Sequence, residues 1–186
     1  GIFEPLIPRN TTMPCKKSNI FTTSIDNQEL VRVHVLQGER EMVTDNKSLG
    51  RFEMHGLPPA PRGIPEIEVI FELDANGIMN VTAKDLGTGK AQAMRIVGHS
   101  GLEDDEVEAM LDEADLYRQQ DASRRDMAEA RNKLDGLIYT SSRSLDEYGA
   151  SLSERDFDII DEAIRMAEEA LGSQDIEEVL DAKDTL

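Results

Sequence analysis

The chain has 186 residues, 39% of them hydrophobic, with no Trp and a formal charge of −18. That length suffices for one or two domains with a core. Residues 1–98 carry 11 Lys/Arg against 12 Asp/Glu, and residues 99–186 carry 9 against 26, which disfavours nucleic-acid binding and sets the second half against an anionic membrane. No run reaches the length of an apolar membrane span. Cys15 is the one cysteine, so an internal disulfide is excluded and a reducing cytosol fits. Gly1 is not a natural start, and Leu186 interrupts a helical pattern without a stop signal. The chain is therefore expected to be cut at both ends. Sequons at Asn10, Asn46 and Asn80 are put down to chance.

The first half is punctuated as short strands and turns. All seven prolines lie between Pro5 and Pro65, and ten of thirteen glycines lie at or before Gly101. A strand is expected near residues 19–25. Residues 30–36 alternate, with Val31, Val33 and Val35 opposed to Arg32 and His34. Another strand is expected near residues 51–55. Residues 66–73 place Ile67, Val69, Phe71 and Leu73 on one face and Glu66, Glu68 and Glu72 on the other. Asp74-Ala75-Asn76-Gly77 reads as a hairpin turn, because Asn-Gly accepts positive φ cheaply. Strands at residues 78–83 and 92–97 complete the set. Many short strands with one-sided patterning suggest an antiparallel sandwich over residues 1–98.

After Gly101 the period becomes helical. Val107, Met110, Leu111 and Ala114 predict a short amphipathic helix. Met127, Leu134, Ile138, Leu145 and Tyr148 mark a longer one, about 30 residues in all. Ser153 is a candidate cap with Asp156 reciprocal and Leu152 stapling onto Phe157. Phe157, Ile160, Ile164, Ala167 and Leu171 form the apolar face that follows. Gly172 ends that helix, and Ser173 starts the last, through Ile176, Val179 and Leu180. The reading is α+β: an antiparallel β-sandwich, then an acidic helical bundle over residues 99–186, broken into short units by Gly136, Gly149 and Gly172.

Motifs for chemistry are weak. Asp74-x-Asn76-Gly77 opens like a calcium loop but lacks the later bidentate Glu. Gly87-Thr88-Gly89-Lys90 lacks the upstream Gly of a phosphate loop, and Ala91 stands where Ser/Thr would bind magnesium. His34, His55 and His99 show no metal-ligand spacing. No Gly-x-Ser-x-Gly motif occurs, and no carboxylate pair stands out from the solvated helix faces. No catalytic residue, metal or enzyme activity is expected.

Three blocks carry a resemblance. They are Asp26-Asn27-Gln28 with Val33-His34-Val35-Leu36-Gln37-Gly38-Glu39-Arg40; Asp45-Asn46-Lys47-Ser48-Leu49-Gly50-Arg51-Phe52; and Pro58-Pro59-Ala60-Pro61-Arg62-Gly63-Ile64-Pro65-Glu66-Ile67-Glu68-Val69. With Asp74-Ala75-Asn76-Gly77-Ile78 and Asn80-Val81-Thr82-Ala83-Lys84-Asp85, in that order, the chain resembles the substrate-binding domain of the 70-kilodalton heat-shock chaperones. The likeness spans nearly the whole sandwich and, more loosely, the helices. Asn46-Lys47-Ser48-Leu49-Gly50 is similar to the bacterial DnaK branch, which implies a cytoplasmic protein.

The resemblance implies a sandwich that holds extended apolar polypeptide under a helical lid. The family's amino-terminal ATPase domain and apolar linker are not in this sequence, so no ATP chemistry and no cofactor is expected of this stretch. The family's first sandwich strand also falls before Gly1. For the full chain it implies a J-domain co-chaperone and a nucleotide exchange factor as partners, besides unfolded polypeptide. By resemblance the pocket is lined by Phe21, Val31 and Val33, Thr22 and Gln28 offer main-chain contacts, and Leu30 and Ser24 flank the peptide. Ser24 stands where the family has Ala or an aromatic. The lid would latch through Arg62 with Asp135 and Asp26 with Tyr139, where the DnaK pattern has His in place of Tyr139. Read without the family, Phe21, Val31 and Val33 are ordinary core and the latch residues solvated. The competing class is a scaffold, a sandwich with a helical arm and no peptide pocket.

Overall fold

A computed structural model describes residues 1–97 and 104–186; His99 and the expected boundary at residue 98 lie outside them. The chain forms two compact units, Phe3–Leu116 and Tyr117–Leu186, the latter together with Gly1–Ile2.

The first unit holds six strands: β1 Cys15–Phe21, β2 Leu30–Gln37, β3 Lys47–His55, β4 Ile67–Leu73, β5 Met79–Asp85 and β6 Ala91–Ile96. Two antiparallel sheets result, one in the order β1-β4-β5-β6 and one of β2 with β3. Their inner faces share one core, with Val35 from β2, Met54 from β3, Ile67 and Val69 from β4, and Val81 and Ala83 from β5. The alternation of residues 66–73 is therefore realised as burial, since Ile67 and Val69 are buried and Glu72 is exposed. The β4–β5 turn forms as the Asp-Ala-Asn-Gly motif dictates. Asp74 Oδ1 accepts the N–H groups of Asn76 at 2.8 Å and Ile78 at 2.9 Å, and Gly77 sits at φ +76°.

Gly87-Thr88-Gly89-Lys90 is a tight turn closed on buried Asp85. The Asp85 carboxylate accepts Gly87 N–H at 3.1 Å and the Thr88 hydroxyl. Gly87 N–H is thus spent on the Asp85 side chain, Gly89 N–H on the Asp85 carbonyl and Lys90 N–H on the Thr88 hydroxyl, the opposite of a phosphate cradle.

β1 starts earlier than its apolar pattern suggests and stops at Phe21, leaving residues 22–29 as a loop. β3 begins at Lys47, where the polar residues before Arg51 give no strand signal. Pairing recruits them, with Leu36 opposite Ser48 and Gln37 opposite Lys47 beyond a register shift at Val35/Leu36.

The helices are α1 Asp104–Tyr148, α2 Glu154–Ala170 and α3 Ile176–Thr185. The two helices expected between Val107 and Tyr148 are one helix of 45 residues. Residues 115–126 lack an apolar stripe but contain no Gly or Pro, so helix propensity carries the chain across. Gly136 lies inside α1 and does not break it; open space surrounds the position a Cβ would take. Ser153 caps α2 as expected, accepting Asp156 N–H at 3.2 Å. Ser173 does not cap α3. Asp175 does, accepting Glu177 N–H at 2.9 Å, while Ser173 Oγ holds Asp175 N–H at 3.0 Å. Ala130, Leu134, Ile138 and Leu145 from α1 pack with Ile164 and Ala167 from α2 and Val179 from α3. Among the described residues, no helix is long and apolar enough to cross a membrane.

Candidate peptide-binding site

The loop of residues 22–29 leaves β1, at the end of the larger sheet, and enters β2, in the smaller. Each of these strands is paired on one side, β1 to β4 and β2 to β3. The chain therefore crosses between sheets at the point where two strand edges carry no neighbouring strand among the described residues. An edge of this kind presents main-chain donors and acceptors to an added extended segment.

Apolar side chains collect beside these edges. Val31, Val33 and Val35 share one face of β2, and burial rises along it: Val31 and Val33 are half-buried against the sandwich core, while Val35 is 1% exposed. Phe21 ends β1 at 38% exposure, and Ile20 and Ile25 are still more open, at 55% and 62%. Leu30 is half-buried at the start of β2, and Thr22 and Ser24 are exposed in the loop. Phe21 is exposed and so is not part of the buried sandwich core.

The loop is rigidly tied, both to itself and to residues 60–65. Ser24 N–H donates to Gln28 Oε1 at 3.1 Å, and Gln28 Nε2 donates to the Leu30 carbonyl at 2.7 Å, so the Gln28 amide spans the loop. The Thr22 hydroxyl donates to Pro65 O at 2.7 Å, Gly63 N–H to Thr23 O at 3.1 Å, and Asn27 N–H to Ala60 O at 2.8 Å. Asp26 Oδ1 accepts Arg62 N–H at 2.8 Å. Asn27 takes φ +54°, a conformation that Asn tolerates. Asp26 and Arg62 are thus brought together through the Arg62 main chain. Asp135 and Tyr139 lie on α1 in the other unit.

Sequence reasoning did not single out Thr23, which is 4% exposed with a hydroxyl that has no hydrogen-bond partner among the described residues. Nor did it find the clamp of Ala60, Gly63 and Pro65, whose bonds join residues about 40 apart and leave no local pattern. The Pro-rich block around Arg62 was the available signal.

Electrostatics on the two-stranded sheet are modest. On β2 and β3, Arg32 Nε lies 2.8 Å from Glu53 Oε1, and this bond holds the Glu53 carboxyl below the usual carboxylate range. His34 Nε2 lies 2.9 Å from Ser48 Oγ; burial, and then the Arg51 charge, lower its pKa from the ordinary 6.5. Among the described residues, no group of three or more His, Cys, Asp or Glu side chains could hold a metal ion. The arrangement can hold a chain by its main chain and an apolar side chain. Compared with known protein families, residues 1–186 match the model described as Hsp70 protein.

Proposed function

The chain belongs to the Hsp70 family, and from that membership we propose that it is the part of such a chaperone that holds extended apolar segments of unfolded polypeptide. The observation that carries the reading is the exposed Phe21 at the end of β1 and the half-buried Val31 and Val33 on β2, on two strands whose outer edges have no neighbouring strand among the described residues and which a clamped loop joins. Main-chain bonds to an edge ignore sequence, and one apolar pocket adds a mild preference. Burying a Leu contributes about 1.5–3 kcal/mol, and each net hydrogen bond about 0.5–1.5 kcal/mol. Less the cost of ordering the peptide, the sum is a modest affinity, which suits a binder that must release.

On this reading a strand preceding Gly1 completes the pocket, and the helices of residues 99–186 act as a lid, latched by Arg62 with Asp135 and Asp26 with Tyr139. ATP chemistry belongs to a part of the protein outside this stretch. The working compartment is the cytoplasm, as in the DnaK type, and the whole protein takes J-domain and nucleotide-exchange partners. A scaffold reading needs a helix face offered to a partner. Ala130, Leu134, Ile138 and Leu145 are consumed within their own unit, which leaves exposed apolar helix positions such as Leu116, Ile159 and Met166 as those that such a reading would have to use. Anisotropy of a labelled Leu-rich heptapeptide tests the proposal: saturable binding that a Glu/Lys-only heptapeptide does not compete supports it, and equal competition by both sinks it.

A further inference from the structure

Arg40 is the one arginine that is buried among the described residues, with a side chain 9% exposed. Its Nη2 lies 3.8 Å from Asp45 Oδ2 and its Nη1 lies 3.3 Å from Glu113 Oε1. Glu113 belongs to α1, so the guanidinium joins the β2–β3 connection to the helix within a single unit, Phe3–Leu116. Asn46 prepares the site. Its side chain accepts Arg40 N–H at 3.1 Å and donates to the carbonyls of Arg40 at 2.8 Å and Met42 at 2.9 Å, folding residues 40–46 into a closed turn. Lys47 Nζ adds a looser contact, 3.9 Å from Glu106 Oε1. Glu106 and Glu113 are seven residues apart, two turns along one face of α1.

The apolar contribution to this seat is thin. Val107, Met110, Leu111 and Ala114 are all half-buried, none fully. A helix end held by partial burial and by one buried guanidinium whose helix partner, Glu113, stays 56% exposed sits at the low-stability end of a fold. A pair with one buried member contributes little net stability, yet loss of its partner leaves the buried Arg40 charge less compensated. We propose that Arg40 is a releasable anchor for the first three turns of α1, holding them on the sandwich through Glu113. The proposal deepens the lid reading, because an anchor at the base of α1 would govern how freely the lid leaves the peptide.

Hydrogen exchange read by mass spectrometry on the 186-residue chain tests it, with Arg40→Met, Glu113→Gln, Glu113→Lys and, as a control on the same helix, Glu108→Gln. Exchange of residues 105–116 should quicken about tenfold or more in Arg40→Met. It should rise from wild type through Glu113→Gln to Glu113→Lys and stay unchanged in Glu108→Gln, with β4 and β5 still protected. Wild-type exchange in both Glu113 variants overturns the anchor, as does loss of protection across β2 to β5 in Arg40→Met, which would make Arg40 a core residue. Peptide dissociation from Glu113→Lys separates the anchor from the lid. Quickened release ties the anchor to the site, whereas faster exchange with unchanged release leaves the anchor standing and removes the lid reading.

Discussion

His34 shows how a single side chain on the two-stranded sheet reports on folding. It stands opposite Arg51 in the β2–β3 pairing, and burial and that cation both lower its pKa. The unfolded chain then binds the proton more readily than the folded one. Stability contributed by neutral His34 is present above its unfolded pKa of about 6.5 and is lost as pH falls below it. Thermal melts between about pH 7.5 and pH 5 should therefore lose more Tm in the wild type than in His34→Gln. Parallel pH curves for the two proteins would contradict this. Arg62 gives a second residue-scale prediction. Its amide is bonded to Asp26, and Arg62→Ala leaves that main-chain bond in place. If the Arg62 side chain is half of a lid latch, peptide release should quicken several-fold while stability stays within about 0.5 kcal/mol. Unchanged release in Arg62→Ala removes the latch.

Two glycines of the helical half behave differently. Gly136 is interior to α1, and nothing lies within 4 Å of where a Cβ would stand, whereas a Cβ at Gly149 would stand 2.9 Å from Phe157 Cε2. Gly136→Ala should stabilise the helical unit by about 0.5–1 kcal/mol through backbone entropy. Gly149→Ala should destabilise it by about 1–3 kcal/mol through crowding at the α1–α2 corner. Denaturant midpoints decide both, and a destabilising Gly136→Ala would mean that the glycine serves contacts other than those of the helix. The same helix shows where sequence was readable. Period-two strands such as β4 were legible because one face is buried, and α2 because its cap and apolar face coincide. The middle of α1 was not, because residues 115–126 keep helix propensity without an apolar stripe. The start of β3 was missed because pairing with β2, not its own residues, makes it a strand. At the site, Val31 and Val33 were legible as an apolar face. The bonds from the loop of residues 22–29 to Ala60, Gly63 and Pro65 were invisible, since each joins residues more than 30 apart in the sequence.

At the scale of the molecule, charge divides the chain: residues 1–98 are nearly neutral and residues 99–186 strongly acidic. If the acidic helices stand near bound peptide, complementary charge should act on association and fade with salt. Stopped-flow mixing with apolar peptides that differ only in Lys or Glu flanks should give faster association for the Lys-flanked peptide at low salt. Equal rates there would remove charge steering. The central claim, that Val31 lies in a pocket for an apolar side chain, is tested most directly by anisotropy titration of a Leu-rich heptapeptide against a form extended before Gly1, with and without Val31→Phe. A Val31 pocket predicts saturable binding that Val31→Phe weakens about tenfold, roughly 1.4 kcal/mol, with the fold intact. Equal affinity of the two folded proteins would contradict it.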